Sequence, residues 1–243
     1  MNAGDADDAD DVDDGGNDVA QARAQQAELA QRLRRRDDFA DPLRTVAGFD
    51  VRFGDGGRIA RVAAVLLDAD TLAVLDEQCL QVAGAMPGTD AADLFGIRAL
   101  PALCAALARL SRRPDLAFVA GHGIAHPRRM GIAAHFGVAA DLPSIGVADA
   151  PLLGTAASLH EIRGAHTPLR DQGEQIGWLL RSAPGRAPLV VSPGHRVSMT
   201  AAAQLVMRYV GDGRLPEPIR LAARLAAAGE MADSGENGEN GRA

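Results

Sequence analysis

Lysine is absent from the 243 residues; all 25 basic side chains are arginine. A GC-rich coding sequence explains that more cheaply than a need for guanidinium chemistry, so no function is read from it. Only two cysteines occur, Cys79 and Cys104. That number excludes a disulfide framework and a cysteine-built zinc site. Both lie in apolar runs and are expected as core thiols. No stretch approaches the ~18 consecutive apolar residues of a membrane span, so no membrane partner is expected. No basic start followed by an apolar segment appears at the beginning. The expected compartment is the cytoplasm.

What is present is unevenly charged. The net charge is −7, but residues 1–18 hold eight Asp and no base, and residues 229–243 carry a net −3. Residues 19–228 are left with +4, which permits a nucleic-acid partner without demanding one. The two acidic ends have little to bury and are expected to be disordered tails. One domain over 19–228 is expected between them, with a monomer as the simplest state. The hydrophobic fraction of 47% is ample for its core.

Hydrophobic periodicity sets the element order. Residues 19–36 are helix formers with apolar positions three and four apart. Residues 45–53 (TVAGFDVRF), 59–68 and 72–82 read as three strands with tight turns, an antiparallel meander. A helix follows over 100–110, starting near Pro101. Short buried strands are expected at 115–120 and 144–148, with a helix over 130–138 between them. That alternation indicates parallel crossovers. Residues 176–182 and 188–192 read as a hairpin, and 200–210 and 218–228 as closing helices. The expected fold is α/β: a mixed sheet of meander plus parallel βα units, flanked by helices, which is the RNase H-like architecture.

Four places carry candidate chemistry. Asp50 interrupts a strand between Phe49 and Val51 and faces away from them. It either meets solvent or needs a partner or a metal. Residues 121–129 (GHGIAHPRR) follow a buried strand, where α/β sheets place their sites. Gly121 and Gly123 let backbone or ligand approach closely. Arg128 and Arg129 have the chemistry to meet phosphates. His122 and His126 stand four apart, but Gly123 and Pro127 oppose the helix that would bring them onto one ion. In residues 192–198 (SPGHRVS), Ser198 reads as a helix cap, and His195 as a general base, an orienting group or a structural histidine. Residues 214–218 read as a rigid turn.

GHGIAHPRRMGIAAHFGV, DLPSIGVA, SPGHRVSM and RLPEPIRLA, with VAGFDVRF and the helix QARAQQAELAQRL before them, stand in the order and spacing of the endonuclease V family. The resemblance covers roughly residues 20–228. It implies an RNase H-like fold. It also implies a Mg²⁺-dependent endonuclease that recognises hypoxanthine (deaminated adenine) in DNA or RNA and cuts the second phosphodiester bond 3′ to it. Metal would be held by carboxylates from the first strand, a helix and the fourth strand. Asp50 matches the first of these, and His195 matches the family's active-site histidine. Gly121, His122, Gly123 and His126 match the loop that shapes the base pocket, with Arg128 and Arg129 as in the family.

The departures bear on catalysis. The helix Glu of a pattern like FREYPALL is Ala99, and the Asp of VDGHG is Ala120. The Lys usual after IGVA is Asp149. The aromatic wedge of PYIP is replaced by Pro87-Gly88-Thr89-Asp90. Two methyl groups cannot hold Mg²⁺ by the implied scheme. Four readings follow. One is a family member that keeps the fold, has lost or strongly reduced cleavage, and still binds inosine-containing strands through the loop and the Arg pair. One is a working inosine-specific nuclease with substitute ligands such as Asp149, Asp90 or Asp93. One is an interaction protein using the acidic tail. The last is a chain whose alanines were placed to trap substrate, which the missing wedge and Lys argue against.

Overall fold

The structure is a computed structural model that describes residues 14–83 and 92–239. The first thirteen residues of the acidic tail, the segment Pro87-Gly88-Thr89-Asp90 and the substitute ligand Asp90 lie outside the described residues.

The first helix, α1 (Asp14–Ala30), stops well before the helix-forming composition does. The cause is tertiary. The Arg34 N–H donates to His195 Nδ1, and the Arg34 carbonyl accepts from the Arg196 N–H. Those bonds satisfy backbone groups that the helix would otherwise have used.

The meander consists of β1 (Thr45–Gly54), β2 (Ile59–Asp68) and β3 (Val74–Ala83), paired antiparallel. Its first turn places Gly56 and Gly57 at φ 62° and 87°, a region open to glycine. Next come α2 (Phe95–Arg109), β4 (Leu116–Ala120), α3 (Ile132–Ala140) and β5 (Ser144–Ala148). α2 begins earlier than expected and contains Pro101. One intrahelical hydrogen bond is lost there, yet the face burying Ala99, Ala102, Leu103 and Ala106 holds the helix together.

The rest is β6 (His166–Asp171), β7 (Glu174–Leu180), β8 (Leu189–Pro193), α4 (Met199–Tyr209) and α5 (Glu217–Glu239). β6 was not expected, because Pro168 breaks its pattern. The strand survives because it is the outermost of the sheet, where a missing N–H costs no ladder bond. α5 runs beyond residue 228, the expected end of the domain.

All eight strands form one sheet in the order β3-β2-β1-β4-β5-β8-β7-β6. The pairs β1–β4 and β4–β5 are parallel and the others antiparallel. Each face has its own core. Ala47, Phe49, Val51 and Val119 pack with α2 and α3 on one side. Val46, Phe118, Ile145 and Val147 pack with α4 and α5 on the other. Neither cysteine is a core thiol: Cys79 is exposed and Cys104 half-buried. β3 is an edge strand whose side chains alternate between exposed and half-buried, so an apolar sequence run there does not guarantee burial.

Helix α5 crosses β1 at Gly48. A Cβ on Gly48 would lie 1.9 Å from the Pro218 carbonyl oxygen. Gly48→Ala must therefore push α5 away from the sheet. The expected loss is about 2 kcal/mol, typical of overpacking, read as a lower urea midpoint with an unchanged slope.

Candidate functional site

Alternation along β1 places Asp50 and Arg52 on the α5 face, opposite Phe49 and Val51. Phe49 pairs with Val119 of β4, so Ala120 stands beside Asp50 one residue further along. Neighbouring strands are ~4.8 Å apart. Asp50 has 13% of its side chain exposed, and Arg52 Nε lies 3.2 Å from its Oδ2. Arg52 Nη2 also donates to the Ala223 carbonyl of α5 at 3.3 Å. Ala120 adds only a methyl group to this face, where it packs against the α4/α5 core. Ala99 is fully buried in the opposite core, among Phe49, Val119 and Phe136.

Asp149 follows β5 and is 80% exposed; its carboxylate is bound by Arg214, which also donates to the carbonyls of Ala187 and Pro188. Asp93 is engaged by Arg23 and Arg128. Thus Asp50, Asp149 and Asp93, the offered ligands among the described residues, each have an arginine partner. Among the described residues, no three His, Cys, Asp or Glu side chains come together as a metal-holding group. The residues present do not fit the Mg²⁺ site that the resemblance implies.

The loop after β4 is different: it is fully built. The Gly121 N–H donates to the Val147 carbonyl at 2.8 Å, and Gly121 has φ 126°. Gly123 N–H donates to Ser192 Oγ at 2.8 Å. A Cβ on Gly123 would stand 2.1 Å from the Pro193 carbonyl oxygen, and one on Gly146 would stand 2.3 Å from Gly123 N. The loop then closes on itself, with Gly131 N–H to Gly123 O and Ala133 N–H to His122 O, both 3.0 Å. Beneath it is a cleft of about 210 Å³ lined by Phe95, Gly96, Gly121, His122, His126 and Ile132.

The two loop histidines point their Nε2 atoms at separate carbonyls, each at 2.9 Å: His122 at Ala150 and His126 at Asp93. A carbonyl only accepts, so both rings carry their proton on Nε2. They share no ion. Burial pushes the pKa of His122 down, against the help of the Ala150 carbonyl. Burial drives His126 down to about 4, with Arg128 adding to the effect.

Arg128 and Arg129 are clasps rather than free phosphate contacts. Arg128 binds Asp93 at 2.6 Å and Gln26 Oε1 at 2.7 Å. Arg129 binds Asp171 at 2.9 Å, Glu174 at 2.8 Å and the His126 carbonyl at 2.9 Å. One arginine ties the loop to α1 and to the 3-10 turn Ala92–Leu94, the other to the β6–β7 hairpin. Burial alone would raise the Asp93 carboxyl, but Arg23 and Arg128 outweigh it and hold it at about 2.

His195 is elsewhere. It follows β8, whose Pro193 pairs with Ile145 near the start of β5, whereas Ala120 pairs with Val147 near its end. His195 lies two residues beyond Pro193, so along the sheet it stands four residues, roughly 13 Å, from the level of Ala120 by strand rise alone. The ring is buried near Gly137 of α3, with Nε2 3.2 Å from Asp141 Oδ1 and 3.4 Å from Arg34 Nη2. Burial lowers its pKa, while the Asp141 carboxylate pulls the other way. The structure does not bring His195 to Asp50; it ties the α1–β1 link to the end of α3. Sequence reasoning missed Arg52, Gln26 and Asp141. Arg52 left a signal, since residues two apart on a strand share a face. Gln26 and Asp141 left none, because their partners are distant in sequence.

Two measurements follow from these contacts. His126 and His135 are both held at about 4 by burial, below the usual 6.5. The stability linked to them is whole above pH ~6.5 and is lost as pH falls toward ~4, because only the unfolded chain takes up the protons. Each should remove about 2–3 kcal/mol across that window, read from urea midpoints at pH ~7 and ~4.5. Asp93→Ala leaves Arg128 without its carboxylate. It should cost about 1–2 kcal/mol, discounted for the half-exposed Arg23. It should also remove the part of the acid transition between pH ~4 and ~2, seen in a pH titration of the unfolding midpoint.

The endonuclease V family model matches residues 27–224. An endonuclease V of Xanthomonas campestris pv. campestris (strain B100) is 54% identical over 209 residues, covering 86% of this chain and 88% of the relative. The solved endonuclease V of Streptomyces avermitilis is 34% identical with a TM-score of 0.81, covering 88% of this chain and 94% of its own. An endonuclease V of Ciona intestinalis, solved with a 24mer DNA containing an inosine followed by a ribo-adenosine, shares the fold at 22% identity and TM-score 0.75, covering 89% of this chain and 99% of its own. The RNase H-like mixed sheet, the glycine-built loop and a match across most of the chain establish that this protein belongs to the endonuclease V family.

Proposed function

We propose that this chain binds hypoxanthine-containing DNA or RNA through the loop of residues 121–131 and has lost, or nearly lost, metal-dependent cleavage. One observation carries the reading: on the face where the resemblance calls for clustered carboxylates, Asp50 stands beside Ala120 with an arginine already on it. Hydrolysis of a phosphodiester needs an activated water and positive charge on the phosphate oxygens and the leaving oxygen. A divalent ion would supply both when bound. This chain offers it one carboxylate, and the guanidinium on that carboxylate does not acidify water.

Binding has better support. The cleft is smaller than the ~300–1,000 Å³ of drug-sized sites, which suits one flat heterocycle rather than a whole nucleotide. Its walls are Phe95, Ile132 and glycine backbone. A base turned out of a strand would find an aromatic ring and backbone polar groups there. Cytoplasmic location and a monomeric state belong to the same proposal.

The test uses a labelled strand with one inosine, as DNA and as RNA, against its adenine counterpart. Without and with Mg²⁺ or Mn²⁺, no product above background is expected. The inosine strand should bind about fivefold tighter or better, as one correctly read base warrants. Ala92 also lines the cleft, and Ala92→Trp should remove that preference and leave salt-dependent, non-specific binding in place. Robust metal-dependent cutting that Asp50→Ala abolishes would overturn the proposal in favour of an active nuclease. Absence of any inosine preference would overturn the binding half.

A further inference from the structure

We propose that Arg52 has taken the place of a metal ion on Asp50, so that a protein-borne cation both neutralises that carboxylate and pins α5 to the central strand. The inference rests on the loss of cleavage proposed above and adds what replaced the ion.

Asp50 lies in the middle of β1, mostly covered, on the face that α5 crosses. A covered carboxylate needs a counter-charge. Ala120 beside it gives neither a charge nor a hydrogen bond. Arg52, two residues on and on the same face, supplies both: Nε reaches Asp50 Oδ2 at 3.2 Å and Nη2 reaches the Ala223 carbonyl at 3.3 Å. The guanidinium thus bridges strand and helix through a carboxylate on one side and a carbonyl on the other. Gly48, on the same face, brings the Pro218 end of α5 against the strand. The helix is seated by backbone contact at one point and by the arginine at the next.

Charge explains why the exchange is stable. With methyl groups at positions 99 and 120, Asp50 contributes a single negative charge, and one guanidinium balances it. A divalent ion would leave a surplus positive charge next to Arg52. It would also gain only one carboxylate, too few for more than a weakly held, mostly hydrated ion. Restoring a second carboxylate by A120D is therefore not enough, because Arg52 still occupies Asp50 and repels the ion. Ion binding should return only when the carboxylate is restored and the guanidinium removed together.

The experiment compares the full chain, R52Q, A120D and A120D/R52Q. Mn²⁺ binding is read from the free-ion electron paramagnetic resonance signal, and thermal unfolding is followed with and without Mn²⁺. Glutamine keeps a donor for Ala223 while removing the charge. The full chain and R52Q should show no saturable Mn²⁺ binding, and R52Q should unfold at a lower temperature than the full chain without metal. A120D/R52Q should bind Mn²⁺ at least tenfold more tightly than A120D, with an unfolding midpoint that rises with Mn²⁺ concentration. Equal Mn²⁺ affinity of A120D and the double variant would overturn the proposal, as would absence of binding by both. So would an unfolding temperature unaffected by R52Q. Strand cleavage by the unaltered chain is a separate readout: it would sink the loss of catalysis whatever the variants bind.

Discussion

The contact on which most of this structure depends is backbone against backbone: the loop after β4 laid on strands β5 and β8. Gly123 touches the Pro193 carbonyl, and Gly146 lies under the Gly123 nitrogen, at separations that leave no room for a Cβ. Because the loop is pressed that close, its hydrogen bonds to Val147 and Ser192 are shielded from water. His122 and His126 are driven into neutral, singly protonated roles. Gly131 can then turn back and start α3. The cleft is the space left between this loop and the start of α2. It exists because glycine keeps the walls thin.

A second constraint is that arginines hold the carboxylates around β1 and the loop after β4. Asp50 is met by Arg52, Asp93 by Arg23 and Arg128, Asp171 and Glu174 by Arg129, and Asp149 by Arg214. Partly covered pairs of this kind contribute little net stability, but breaking one leaves a stranded charge. Their effect is to fix geometry. Arg128 and Arg129 hold the two flanks of the loop after β4 to different parts of the domain. In the same way, Asp141 gathers His195, Arg34 and Arg196 at the far end of the sheet. A residue set that reads in the sequence as phosphate ligands and a catalytic histidine is, in the free protein, a set of internal ties.

Much of the architecture was legible beforehand. Alternation in TVAGFDVRF marked β1 and put Asp50 opposite Phe49, as the two cores confirm. The alternation of the buried runs at β4 and β5 with the helix between them carried the parallel crossovers. The errors have local causes. Pro168 hid β6, whose edge position makes proline harmless. Pro101 moved the expected start of α2 toward the middle of the helix. α1 was overextended because hydrogen bonds from residues 195–196, distant in sequence, draw Arg34 out of the helix.

By itself, the sequence determined the family, the order of most elements and the presence of alanine at positions 99 and 120, because side-chain identity and periodicity are local properties. Only the tertiary structure decided what each remaining polar group does. Arg52 could be known as the partner of Asp50 and Ala223 only once α5 was placed across β1. His195 could be separated from Asp50 only once β8 was seen to run antiparallel to β5. Pairing of charges is a property of distance in space, and no spacing along the chain encodes it.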